Sequence, residues 1–114
     1  MENLEIEQSE GQSGAHIWKL KGQLTLKVLF DFQDRIRKNE SNKWIVDLTD
    51  ISYMDSAALG ALLGAYASCE RTGRGFALAG ISPRVLTMFE VAGVDKLIPR
   101  FESIEAAEKH LASK

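Results

Sequence analysis

Asp55 and Ser56 stand directly ahead of Ala57-Ala58-Leu59-Gly60-Ala61-Leu62-Leu63-Gly64, a run of small and apolar residues suited to a helix. A serine at a helix start lies among backbone N–H groups that no intrahelical carbonyl accepts, and the positive end of the helix dipole tolerates an anion there. Such a hydroxyl is a candidate acceptor for a phosphoryl group, visible to a partner. It is also the residue type that simply caps a helix, a role Asp55 can fill beside it. The residues alone leave both readings open.

Other chemistries lack their parts. A nucleophilic Ser56 needs a base, an orienting third group and oxyanion donors. His16 and His110 fall in a predicted hairpin and a predicted terminal helix, both expected at the surface, and no G-x-S-x-G is present. One cysteine, Cys69, and two isolated histidines do not have metal-ligand spacing. Gly73-Arg74-Gly75 precedes an apolar strand and lacks the lysine and hydroxyl of a phosphate loop, so it is read as a turn. No enzyme activity, metal or cofactor is expected.

Sixteen acidic against fourteen basic side chains, with no basic run, exclude direct nucleic-acid binding as an electrostatic expectation. At 114 residues and 45% apolar the chain is expected to form one domain over 1–114. A lone cysteine fits a reducing compartment, and Met1 to Glu7 has neither the basic flank nor the apolar block of a signal peptide. The longest nearly uncharged stretch, Ser56 to Cys69, is shorter than the ~20 residues a membrane span requires. A cytoplasmic protein without membrane insertion is expected.

The elements that must position Ser56 follow from periodicity. Leu4-Glu5-Ile6-Glu7 and Ile17-Trp18-Lys19-Leu20-Lys21 alternate with period two across a polar, glycine-containing link, which predicts an antiparallel hairpin. Leu26, Leu29, Phe30, Gln33 and Ile36 fall near one face of a helix. Lys43 to Leu48 predicts a short apolar strand, Asp50 to Asp55 its connection, and Ser56 to about Arg71 a helix stopped at Gly73. Gly60 and Gly64 are assigned to close packing of that helix on the sheet, while Ala57 and Ala58 suit either packing or a low surface beside Ser56. Phe76 to Ala79 predicts a strand, Ser82-Pro83 a capped helix start, Gly93 its end, Leu97-Ile98 a brief strand, and Ser103 the cap of a last helix carrying Ile104, Ala107 and Leu111 on one face. The order ββαβαβα(β)α describes an α/β domain with a mixed sheet, the N-terminal hairpin antiparallel and the later strands parallel. The strand-to-helix ends of such a sheet form its usual binding edge, and here they gather Gly22 to Thr25, Ser52 to Ser56 and Gly80 to Arg84.

Asp47-Leu48-Thr49-Asp50-Ile51-Ser52-Tyr53-Met54-Asp55-Ser56-Ala57-Ala58-Leu59-Gly60 resembles the signature of STAS domains, especially the bacterial anti-sigma factor antagonists, whose D-S-[ST/A]-[GA]-L-G run carries a phosphorylated serine. Leu20-Lys21-Gly22-Gln23-Leu24 resembles the family's L-x-G-x-L strand end, and Phe76 to Val85 with Phe89 to Ile98 resembles its third-helix region. Thr25 stands where many antagonists carry an acidic residue, and Ala58 where many carry glycine.

The resemblance implies a single STAS-type domain that is no enzyme and docks onto an anti-sigma factor with serine kinase activity, thereby releasing a sigma factor. The kinase would use ATP to phosphorylate Ser56 and end binding, and a phosphatase would restore it. Related STAS domains serve as accessory subunits of ABC-type lipid transport systems or stress-signalling assemblies, which is the alternative role, without phosphorylation. Partner contact is expected from Gly22, Gln23, Thr25, Tyr53, Met54, Asp55, Ser56, Ala57, Ala58, Ser82 and Arg84.

Overall fold

Period-two alternation in the first two segments produces an antiparallel pair, β1 (Leu4–Glu10) and β2 (His16–Leu24), in register from Leu4 opposite Gly22 to Glu10 opposite His16. Glu5 faces Lys21 and Glu7 faces Lys19, opposite charges directly across the ladder. The computed structural model describes residues 4–11, 14–25, 34 and 42–112. The helix predicted on Leu26, Leu29, Phe30, Gln33 and Ile36 lies outside the described residues.

From there strands alternate with helices: β3 (Lys43–Met54), α1 (Ser56–Arg71), β4 (Gly75–Ile81), α2 (Pro83–Val91), β5 (Arg100–Phe101) and α3 (Ile104–Ala112). β2, β3, β4 and β5 are parallel neighbours, and α1 between β3 and β4 and α2 between β4 and β5 return the chain to the same end of the sheet. The sheet order is β1-β2-β3-β4-β5, a mixed α/β architecture with one antiparallel pair, as the alternation predicts.

Successive side chains of β2 and β3 point to opposite faces and build two cores. Trp18, Leu20, Trp44, Val46 and Leu48 pack with Ala58, Leu59, Leu62, Ala65 and Cys69 of α1 and with Val85 and Phe89 of α2. Ile17, Ile45, Ala77 and Ala79 form the other core with Ala107 and Leu111 of α3. Trp18 and Trp44 meet edge to face at 5.3 Å in the first core, so truncating either to alanine would cost about 3–5 kcal/mol.

Four sequence expectations are corrected. The segment Asp50 to Met54, expected to be a connection, is the second half of β3. The last strand is Arg100–Phe101 and not Leu97-Ile98: the Leu97 N–H donates to Val94 O in a turn and only Ile98 is buried. Gly60 and Gly64 are exposed, and a Cβ at either meets nothing within 4 Å, because α1 packs through the Ala58, Leu62, Ala65 and Cys69 side instead. The histidines are half-buried and not on the open surface: His16 lies 5.2 Å from the Trp44 ring and His110 lies 4.8 Å from that of Phe101.

Candidate functional site

The edge that carries Ser56 is shaped by bulges in β3. Between the pairs Lys19–Asp47 and Lys21–Asp50, and again between Gly22–Ile51 and Gln23–Tyr53, β3 runs one residue more than β2. Each extra residue turns a two-residue alternation into three, which keeps Leu48, Ile51 and Met54 all on the α1–α2 face of the sheet. β4 matches the first bulge with an extra residue of its own between Ala79 and Ile81. That residue is Gly80, at φ +75°, and a Cβ there would collide with Thr49 Oγ1, whose hydroxyl donates to Asp47 Oδ1 at 2.6 Å. Only glycine fits this position.

The C-terminal ends of β2, β3 and β4 are joined by short polar bonds. The Asp55 N–H donates to Leu24 O at 3.3 Å, and Ser52 Oγ donates to Gly22 O at 3.0 Å. Ser82 Oγ donates to Ile51 O at 3.0 Å and accepts the Val85 N–H at 3.4 Å, capping α2 ahead of Pro83. At α1 the cap is Asp55, in extended conformation, whose carboxylate accepts the Ala58 N–H at 2.8 Å. Ser56 is the first helical residue and is exposed. No acidic side chain other than the cap sits in the first turn of α1, so the helix end retains its attraction for an added anion.

Of the residues expected at the rim, Tyr53, Ser56, Ala57 and Arg84 are exposed, with Tyr53 at 46% one of three exposed large apolar side chains among the described residues. Gly22, Gln23, Thr25, Asp55 and Ser82 are half-buried; Gln23 pairs with Tyr53, and Arg84 stands in the first turn of α2. Met54 and Ala58 are corrected: at 3% and 0% exposure they lie in the core beneath the rim and support it instead of facing a partner. Bulge geometry places Met54 inward, and the turn of α1 does the same for Ala58. Sequence reasoning missed Ser52 and Ser82 as hydroxyl bridges between strands and missed Gly80 as a close approach. The three-residue spacing of Leu48, Ile51 and Met54 was the available signal of a bulge.

Ser56 has no histidine base. His16 begins β2 at the opposite end of the sheet, roughly 26 Å away at a strand rise of ~3.3 Å per residue. His110 is on α3, which covers the other face of the sheet, and lies against the Phe101 ring. Burial pushes the Cys69 thiol above its ordinary range despite the nearby Arg74, which makes it a poor nucleophile. Among the described residues no group of three metal-ligating side chains occurs, and no helix is long and apolar enough to cross a membrane. What the rim offers is an exposed hydroxyl at the start of α1, with an exposed aromatic ring near the end of β3 and a guanidinium in the first turn of α2 at the same edge of the sheet.

Residues 6–107 match the STAS domain family. The anti-sigma-B factor antagonist of Listeria monocytogenes is 40% identical over 53 residues, a match that spans 46% of this chain and 46% of that protein, about half the length of each. The anti-sigma F factor antagonist of Paenibacillus polymyxa is 27% identical over 105 residues, 89% of either chain. Among solved structures, SpoIIAA in its unphosphorylated form superposes with a TM-score of 0.79 at 18% identity, covering 96% of this chain and 98% of that one. The Bacillus cell fate determinant SpoIIAA in its phosphorylated form gives 0.68 at 18% identity, covering 93% and 98%. At that identity the two superpositions establish the shared fold.

Proposed function

This chain belongs to the STAS domain family, and from that membership we propose that it is an anti-sigma factor antagonist switched by phosphorylation of Ser56. In the unmodified state the rim of Gln23, Thr25, Tyr53, Asp55, Ser56, Ala57 and Arg84 docks onto an anti-sigma factor with serine kinase activity, and a sigma factor is released. The kinase transfers the γ-phosphoryl group of ATP to Ser56 Oγ, with ADP leaving and the hydroxyl proton passing to a base of the kinase. A phosphatase hydrolyses the ester and restores docking. The protein acts as a binding module in the cytoplasm, with no chemistry of its own.

Asp55 and Ser56 divide two duties, and that division carries the proposal. Asp55 closes the helix start, which leaves the Ser56 hydroxyl exposed at the first helical position without a capping task. The names of the Listeria and Paenibacillus relatives support the antagonist role, and SpoIIAA, of the same fold, exists in both phosphorylation states.

The energetics favour a switch of binding over a switch of folding. A phosphoserine adds about −1.5 to −2 charge, and the helix start returns only ~0.3–1 kcal/mol of stabilisation to it. A carboxylate ~6 Å away would oppose each unit of that charge by ~0.7 kcal/mol in water and by ~3 kcal/mol at an effective dielectric constant of ~20. A closed interface is the drier setting, so the complex bears the larger cost. A loss of ~2 kcal/mol is roughly thirtyfold in affinity.

Incubation with a candidate anti-sigma serine kinase and ATP, followed by mass mapping, tests the assignment. Phosphate on Ser56 is expected; phosphate confined to Ser52, Thr49 or Thr25 would overturn it.

A further inference from the structure

We propose that Ser82 is a positioning residue for partner binding: its single hydroxyl ties the start of α2 to the bulged end of β3, so that Arg84 and Ser56 are presented as one surface. The binding half of this proposal rests on docking at the Ser56 rim.

Gly22 and Ile51 are register partners at the last regular rung before the second bulge of β3. Bulges interrupt the ladder and release backbone groups from their strand partners. Here hydroxyls take up the carbonyls on both strands of that rung. Ser52 Oγ donates to Gly22 O and Ser82 Oγ donates to Ile51 O, each at 3.0 Å. A serine hydroxyl has one proton to donate and two lone pairs to accept with, so Ser82 can serve Ile51 O and the Val85 N–H at once.

The other two caps work differently. Asp55 is acceptor-only when ionised, and Ser103 accepts the Ala106 N–H of its own helix at 3.1 Å. Ser82 joins its helix through its hydroxyl to a strand 31 positions away in sequence, whereas Asp55 reaches Leu24 O on β2 through its backbone N–H. From Ile51 the chain passes directly through Ser52, Tyr53, Met54 and Asp55 to Ser56, so the carbonyl that Ser82 holds is the root of the segment presenting the phosphoacceptor. One residue beyond Pro83 on the other side of the bond stands Arg84. Fixing this bond fixes the placement of the two contact groups before a partner arrives, which lowers the ordering cost of docking.

Three substitutions separate a brace from an ordinary cap. Ser82→Asp keeps a good helix cap and cannot donate to Ile51 O; Ser82→Thr keeps both bonds; Ser82→Ala keeps neither. Two readouts are taken on the full chain: amide hydrogen exchange without a partner, and calorimetric affinity for an anti-sigma factor with serine kinase activity.

For Ser82→Asp we expect Val85 and Leu86 to exchange as in the wild type, exchange over Tyr53 to Ser56 to accelerate about tenfold, and affinity to fall about tenfold. Ser82→Thr should restore both, and Ser82→Ala should also loosen α2. If Ser82→Asp exchanges and binds like wild type, Ser82 is only a cap and the proposal fails. If exchange accelerates while affinity holds, the brace exists but positions nothing, and the proposal again fails. A wild-type chain that binds no such kinase, with the coupled exchange response intact, would overturn the antagonist role and the binding half of the proposal together, while the exchange data establish the brace independently.

Discussion

The Asp55 carboxylate accepts the Ala58 N–H at 2.8 Å, so the residue before Ser56, and not Ser56 itself, closes the N-terminus of α1. Asp55→Ala should therefore cost about 1 kcal/mol, within the 0.5–2 kcal/mol span of lost caps. Ser56→Ala should stay within about 0.5 kcal/mol of wild type, since alanine suits a first helical turn. Urea unfolding of both variants distinguishes the roles. A loss of ~2 kcal/mol for Ser56→Ala would make that hydroxyl structural and remove its freedom to act as a switch.

Gly80 is held at φ +75° with Thr49 Oγ1 where a Cβ would go. Gly80→Ala is expected to destabilise by about 1–3 kcal/mol, from left-handed backbone strain together with the collision. Adding Thr49→Ala removes the Oγ1 collision and leaves the strain together with close approaches to Asp47 Oδ1 at 3.1 Å and the residue-49 Cβ at 3.3 Å, so the double variant should recover part of the loss and not all of it. Full recovery would mean that the backbone at Gly80 tolerates a side chain without strain.

Gly64 lies mid-helix on the exposed side of α1, with nothing within 4 Å of an added Cβ. Replacing it with alanine should raise stability by about 0.5–1 kcal/mol through helix propensity and a less disordered unfolded chain. A lower melting temperature for Gly64→Ala would show that this side of α1 is covered.

Element types and topology were legible because they rest on periodicity and punctuation: the alternating hairpin, Asp55 and Ser82 before their helices, Gly73 and Gly93 after them. Bulges hid the second half of β3. A strand that gains a residue twice loses period two, so Ile51 and Met54 read as parts of a loop. That same error put Met54 on the partner surface, although the bulge turns it into the core at 3% exposure. Gly60 and Gly64 misled for a different reason: a helical glycine commonly marks close approach, and only the rotation of α1 shows which side of it meets the sheet. The hydroxyl links of Ser52 and Ser82 join residues about thirty positions apart, which no local pattern encodes.

Arg84 in the first turn of α2 and Lys109 on α3 are both exposed cations, the first at the Ser56 edge and the second on the helix that covers the other face of the sheet. Arg84→Glu should weaken binding to an anti-sigma serine kinase about tenfold at an unchanged melting temperature. Lys109→Glu should bind as wild type. Lys109 critical with Arg84 silent would move the partner surface away from the Ser56 edge.

Calorimetric affinity of one anti-sigma serine kinase for the chain before and after stoichiometric phosphorylation at Ser56 tests the switch most directly. A fall of roughly thirtyfold or more is expected, equivalent to a loss of at least ~2 kcal/mol, with the melting temperature of the free domain nearly unchanged. Equal affinities for the two forms, or a phosphorylated domain that unfolds instead of dissociating, would contradict it.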